Sequence, residues 1–287
     1  AGDVYASTLN LFAAENLEVA VKAGGSERDA IRELELGYAQ FGVASADQVI
    51  RALSKGDSVV VLAQLFQVNP LQWIYRTRDG PIDKVADLAG QTVGITYGGN
   101  DETIMRALLS KHRISDDEVR IFSVRYDYTP FYQGEVDLWP IYRNAEGIVI
   151  GEKLRQAGEK VAFFNPEAFG IHFVANSVVT TEQMVEEQPQ TVKRFITALL
   201  QGWGEALDPT NKDKALATIQ QFDRDTPASI LSEQLAVTRR LMKPSPGMEI
   251  GGIDMGAWKQ TETIMLEQKL IPGPVFVKRI LRPLSAS

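Results

Sequence analysis

The sequence predicts an α/β fold arranged in two lobes. Strand-like and helix-like runs alternate through the first 170 residues, and the chain states one local pattern twice. Val19 to Glu27 reads VAVKAGGSE and Val93 to Asp101 reads VGITYGGND, each a β-like run, a Gly-Gly pair, a polar cap residue and an acid ahead of helical sequence. A second pair follows in the same order: GYAQFGVASAD from Gly37 and GEVDLWPIYRN from Gly134. Two similar α/β units suggest two lobes, and two lobes suggest a cleft with a hinge.

Taken in order, Tyr5 to Asn16 reads as a helix. An α/β unit normally has a strand before its first helix, a pattern that fits a first strand lost to processing or disorder. Glu18 to Ala23 reads as a strand. Ser26 is the expected N-cap of a helix to Leu36, with Asp29 three residues on and Gly37 ending it. Gln40 to Ala44 is a strand, Ser45 to Lys55 a helix closed by Gly56, and Ser58 to Phe66 a β-branched strand. Leu71 to Arg76 is extended. Ile82 to Leu88 is a short helix and Gln91 to Thr96 a strand. Asn100 is expected to cap a helix through Lys111, whose Ile104, Leu108 and Leu109 fit helical spacing. Glu118 to Val124 is a strand, Pro130 to Tyr132 a helical turn, Val136 to Ile141 a strand, Arg143 to Ala157 a helix and Lys160 to Phe164 a strand. Ile171 to Asn176 is read as one more strand.

The character then turns helical. Pro189 sits at a first turn, and Val192, Phe195, Ile196, Leu199, Leu200 and Trp203 form one apolar face. Helices are expected at Lys212 to Phe222, Pro227 to Met242 and Asp254 to Gln268, with a proline-rich tail over the surface. The expected lobes are residues 1–77 with 171–287, and residues 78–170.

Composition narrows the chemistry. The 287 residues suffice for one large domain or two ordinary ones. Net charge is −7 with no basic tract, which argues against nucleic acid or anionic membrane as partners. No apolar run approaches the ~20 residues of a membrane-spanning helix. There is no cysteine, so disulfides, thiolate metal sites and cysteine nucleophiles are excluded. His112 and His172 are the two imidazoles. No G-x-S-x-G, HExxH or kinase signature occurs, so neither an enzyme nor a cofactor is expected.

The glycine pairs, Gly24-Gly25 and Gly98-Gly99, stand between strand and helix, where glycine lets a ligand approach the backbone or simply makes a tight turn. Neither is a phosphate loop. Asp101 and Glu102 follow Asn100 in the first turn and oppose a bound anion, which favours a neutral or nitrogen-rich ligand there. Ser45 and Asp47 begin a helix just past a strand end, where ligands gather in α/β sheets; they cap the helix, meet a ligand, or do both. Tyr97, Tyr142 and His172 lie at strand ends or crossings and suit a flat heteroaromatic ligand, while Trp139, mid-strand, reads as core. Asn144 and Glu146 can bond an amino-pyrimidine; alternatively Arg143 and Glu146 form an exposed i,i+3 pair. Gln67 can reach in from a strand end. Tyr5, Gly25, Gly98, Gly99 and Asn100 complete the expected ligand-binding set.

FGVASADQVI, the strand ending LAQLFQVNPL, AENLEVAVKAGG and QGEVDLWPIYRNAEGIVI together resemble bacterial ABC-transporter substrate-binding proteins of the thiamine-pyrimidine-precursor-binding type, relatives of the fungal thiamine-pyrimidine synthases. The resemblance covers roughly Tyr5 to Ser177. In that family an Asn-Glu pair is usual in the second lobe; here Ala145 separates Asn144 from Glu146. The fungal synthases use a cysteine-rich motif that this chain lacks. The resemblance implies a type II periplasmic binding fold, closing on a small molecule in the inter-lobe cleft and docking on the membrane permease of an ABC importer. It implies a monomeric protein with no cofactor, periplasmic or extracytoplasmic, with or without a lipid anchor before processing. The group also holds sulfonate, nitrate and riboflavin binders, and the same lobes occur as sensor domains of signalling proteins.

Overall fold

The computed structural model describes residues 1–22, 24, 29–115, 117–125 and 127–283. In chain order the elements are α1 (Gly2–Thr8), α2 (Leu11–Ala14), α3 (Ala30–Glu35), β1 (Gly42–Ser45), α4 (Ala46–Lys55), β2 (Val59–Gln64), β3 (Leu71–Arg76), β4 (Thr92–Ile95), α5 (Asn100–Lys111), β5 (Arg120–Ser123), α6 (Thr129–Gln133), β6 (Leu138–Tyr142), α7 (Glu146–Gln156), β7 (Val161–Phe164), β8 (Asn176–Thr181), α8 (Glu182–Glu187), α9 (Pro189–Leu207), α10 (Lys212–Phe222), α11 (Ala228–Met242) and α12 (Met255–Glu267). The chain divides into two compact units. The first comprises residues 1–68, 174–262 and 271–287, and the second residues 69–173 and 263–270.

The first unit holds a three-stranded sheet in the order β1-β8-β2, with β8 antiparallel to both neighbours. Strand β8 corrects the sequence reading, which ended its last strand where this one begins. Residues 171–175 are not a strand: Ile171 N–H donates to Pro166 O (3.2 Å), Val174 N–H to Thr261 Oγ1 (3.0 Å), and Val174 O accepts Ala46 N–H (3.4 Å). Every residue of β2 is buried, as its run of three valines and a leucine foretells. The expected first helix is split, because Asn10 takes a left-handed conformation (φ 56°) between α1 and α2. Residues 18–22 form no strand, and Ser26, the expected cap, lies outside the described residues. The cap observed is Asp29, whose carboxylate accepts the N–H groups of Ile31 (2.8 Å) and Arg32 (3.2 Å). Helices α1 and α9 meet through small residues: a side chain on Gly202 would collide with Ala6, and one on Gly2 with Trp203. Phe195 of α9 stacks on Phe41 at 3.7 Å between ring centres.

Near the chain's end, buried Glu262 accepts the N–H groups of Val275 and Phe276 at 2.7 Å each and that of Val277 at 3.2 Å. The tail beyond them runs beside β2, where Val61 N–H donates to Ile280 O (2.9 Å) and Arg282 N–H to Val61 O (2.8 Å).

The second unit holds a five-stranded sheet, β5-β4-β6-β3-β7. Strand β3 is antiparallel to both β6 and β7, so β6-β3-β7 repeats the arrangement of β1-β8-β2. Gly37 and Gly134, the glycines singled out ahead of β1 and β6, both adopt positive φ (72° and 79°), a conformation glycine takes without steric cost. The core gathers Ile74, Trp139, Ile141, Phe131, Ile150 and Leu154. Trp139 is core, as its mid-strand position foretells. Buried Arg76 is fully occupied: it pairs with Glu159, donates to Phe131 O (2.7 Å) and Tyr132 O (3.2 Å), and lies over the Phe131 ring.

Candidate functional site

In the second unit β4 sits between β5 and β6 and is parallel to both. The chain therefore leaves β4 for one flank and later returns to the other. Such a reversal opens a crevice at the carboxyl ends of the two diverging strands, the usual place for a ligand in an α/β sheet. Two predicted segments meet at this edge: Tyr97 to Asn100 after β4, and Tyr142 to Glu146 at the end of β6. Their two tyrosines are exposed, Tyr97 by 60% and Tyr142 by 46%, in a unit whose other aromatics are largely core. Large rings held out at neighbouring strand ends offer flat apolar faces to a planar molecule.

The turn after β4 is tightly wired. Gly99 N–H donates to Thr96 O (2.8 Å), Gly98 has φ 79°, and Gly99 is the N-cap of α5. Asn100 is thus the first helical residue and not the cap expected of it. Gly99 is glycine for a steric reason, since a Cβ there would press on Asp101 Oδ1 and Thr96 O. The acids of the first helical turn point back at the turn. Asp101 Oδ2 accepts Thr96 N–H at 2.5 Å, and Glu102 Oε2 accepts Gly98 N–H at 2.7 Å. The other oxygen of Glu102 takes the Nε–H of Arg106 at 2.8 Å. Burial pushes the Asp101 carboxyl above its ordinary value, and the Thr96 N–H works against that shift.

The turn after β6 follows the same plan. Tyr142 N–H faces Glu146 Oε2 at 3.3 Å, again a carboxylate four residues on, and Ala145 N–H donates to Tyr142 O at 2.9 Å. Asn144 is half-buried here. Arg143 places its guanidinium 3.8 Å over the Phe163 ring, while its N–H donates to Pro70 O (2.7 Å). Asn69 and Phe173 meet at this same edge. Asn69 Nδ2–H donates to Phe173 O (2.7 Å), and Leu71, two residues on, pairs with Tyr142 in the ladder. His172, adjacent to Phe173, is exposed.

In the first unit, Ser45, Asp47 and Gln67 gather at the carboxyl ends of β1 and β2. Ser45 lies opposite Asn176, the first residue of β8, whose carbonyl accepts Leu65 N–H at 3.0 Å. Ser45 and Gln48 form a capping box on α4, with Ser45 N–H donating to Gln48 Oε1 (3.0 Å) and the Ser45 hydroxyl to Asp47 Oδ1 (2.5 Å). Gln67 spends its side-chain amide on Gly252 O (2.7 Å) and Gln64 O (3.1 Å). Gln64 in turn accepts Asp254 N–H at 3.1 Å. These bonds bring residues 251–254 to the edge, a stretch to which the sequence reading assigns only the helix start at Asp254. Its Gly-Gly pair and acid ahead of a helix are the signature used elsewhere in the chain, and would have found it.

Two predicted residues stand apart. Tyr5 is a core residue, 2% exposed, its hydroxyl pKa raised by burial and secondarily by Glu205. Gly25 lies outside the described residues; its neighbour Gly24 faces open space.

Comparison with known proteins places these features in context. The family described as NMT1/THI5 like matches residues 1–212. The riboflavin-binding protein RibY of Chloroflexus aurantiacus is 25% identical over 290 residues, covering 96% of this chain and 78% of its own. The formylaminopyrimidine-binding protein of Halalkalibacterium halodurans is 26% identical over 282 residues, covering 92% of this chain and 82% of its own. Among solved structures, the periplasmic aliphatic sulphonate binding protein SsuA from Escherichia coli superposes with a TM-score of 0.77 at 17% identity, over 100% of this chain and 90% of that one. The fold is that of the periplasmic binding proteins.

Proposed function

The chain belongs to the NMT1/THI5-like family, and from that premise we propose that it is an extracytoplasmic solute-binding protein of an ABC importer. Its ligand is a small, flat nitrogen heterocycle such as a thiamine pyrimidine precursor, bound without any covalent step and passed to a membrane permease. The observation that carries this reading is the pair of exposed tyrosines, Tyr97 and Tyr142, at the carboxyl ends of neighbouring parallel strands. A planar ring stacks on such faces, and the carboxylates of Glu102 and Glu146 behind them can accept hydrogen bonds from ring amino groups. The two sequence relatives named above bind a flavin and a formylaminopyrimidine, both planar nitrogen heterocycles, which supports the same class.

Thermal unfolding tests the proposal. A ligand that binds the folded state raises Tm by mass action, so a 4-aminopyrimidine or riboflavin at millimolar concentration should stabilise the protein. If no pyrimidine, flavin or sulfonate moves Tm, the solute-binding reading falls.

A further inference from the structure

We propose that Glu102, supported by Asp101, sets the ligand class by withdrawing the donors that an anion would need; this rests on the binding edge proposed above. The glycine turn ahead of α5 has the outline of an anion cradle: a strand end, two glycines and the start of a 12-residue helix. Three of its N–H donors are already used. Thr96 N–H is taken by Asp101, Gly98 N–H by Glu102, and Gly99 N–H by Thr96 O. An incoming sulfonate would have to displace a carboxylate from its N–H and then sit beside buried Asp101 and beside Glu102, whose charge Arg106 offsets in part.

The neighbouring turn has the same polarity. Glu146 faces Tyr142 N–H across four residues, as Glu102 faces Gly98 N–H. Both turns at the edge therefore present carboxylate oxygens instead of N–H groups, beside one exposed tyrosine each. A carboxylate accepts up to about four hydrogen bonds, and Glu102 takes bonds from Gly98 and Arg106. The edge is built to accept, and its complement is a ligand rich in N–H groups, neutral or cationic. Arg106 fixes Glu102 in place through its second oxygen, so the carboxylate does not swing aside to admit an anion.

Calorimetric titration of the wild type, Glu102→Ala and Glu102→Gln with a 4-aminopyrimidine and with methanesulfonate tests this. The wild type should take the aminopyrimidine and show no methanesulfonate binding. Glu102→Ala frees Gly98 N–H and should strengthen methanesulfonate binding by at least about tenfold. Glu102→Gln keeps an acceptor on Gly98 and should gain less. The inference is overturned if the wild type binds methanesulfonate as tightly as the aminopyrimidine, or if Glu102→Ala brings no gain. If the wild type binds neither compound while Glu102→Ala gains methanesulfonate, the exclusion role stands and the heterocycle reading falls. Should Glu102→Ala not fold, the amide resonances of Thr96 and Gly98 in the wild type decide: sulfate should leave them unmoved, and a saturable shift would overturn the inference.

Discussion

Glu262 accepts the backbone N–H of Val275 at 2.7 Å, across thirteen residues of chain. With Phe276 and Val277 bonded to the same carboxylate, one buried side chain satisfies three consecutive donors. Removing it strands them. Glu262→Ala should cost about 3 kcal/mol in denaturant unfolding, and Glu262→Gln less, since its amide oxygen still accepts. Hydrogen exchange at Val275 to Val277 should quicken in the alanine variant; unchanged exchange there would show that the tail is held by other contacts.

Tyr97 and Tyr142 separate binding from folding. Both are exposed, so alanine at either position should shift stability by no more than about 0.5 kcal/mol. Loss of a stacking face should weaken the heterocycle by about tenfold at each position. Titration of the two variants with the ligand that stabilises the wild type gives the answer, and an undiminished affinity in both removes the tyrosines from the site.

Gly99→Ala should be destabilising by about 1–3 kcal/mol, because its methyl group meets the Asp101 carboxylate and the Thr96 carbonyl in a packed turn. A chemical melt measures it. Unaltered stability would mean that the turn relaxes freely, and with it the hydrogen bonds from Thr96 and Gly98.

Asp101 predicts a pH dependence. Its carboxyl is raised by burial in the folded protein, so ionisation is disfavoured there relative to the unfolded chain. That cost is fully present above the raised value and fades as pH falls through it toward the ordinary 3.8. Compared with Asp101→Asn, which has no such group, the wild type should therefore gain stability as pH falls from 7 toward 4. Parallel melts of the two proteins across that range test the sign, and a difference that does not vary with pH refutes it.

Ser45 tests a dual reading. Its place in the capping box on α4 makes Ser45→Ala cost about 1 kcal/mol. If ligand affinity falls while the melting loss stays at that size, Ser45 also meets ligand; if affinity holds, capping is its whole role.

Local chemistry made much of this legible beforehand. Leu71 to Arg76 and Lys212 to Phe222 have the limits the sequence predicts, because burial on one side and helical periodicity on the other leave no competing assignment. Tyr97, Gly98 and Tyr142 stand at the ends of β4 and β6, where the sequence places them. Other features depend on distant partners. Asn176 to Thr181 is polar at its start and short, and is a strand because β1 and β2 flank it, whereas the more apolar residues before it drew the assignment. The break at Asn10 is a left-handed residue inside a helical pattern, with no glycine or proline to announce it. The repeated Gly-Gly pattern was half right. Val93 to Asp101 is a strand, turn and helix, while residues 19–22 form no strand; the pairing of Gly37 with Gly134 marks the likeness of the two units better.

That likeness stops at one flank. In the second unit β6 has β4 beside it, but β1 pairs with β8 and, among the described residues, with no strand on its other side. Val43 stands 47% exposed on that rim. Helix α3 reaches this rim at one point, where a side chain on Gly42 would press on Ala30; an uncovered strand edge can recruit another extended chain. A lysine at position 43, placing a charge where an intruding strand would lie, is the first change to make for a protein that must stay clear in solution.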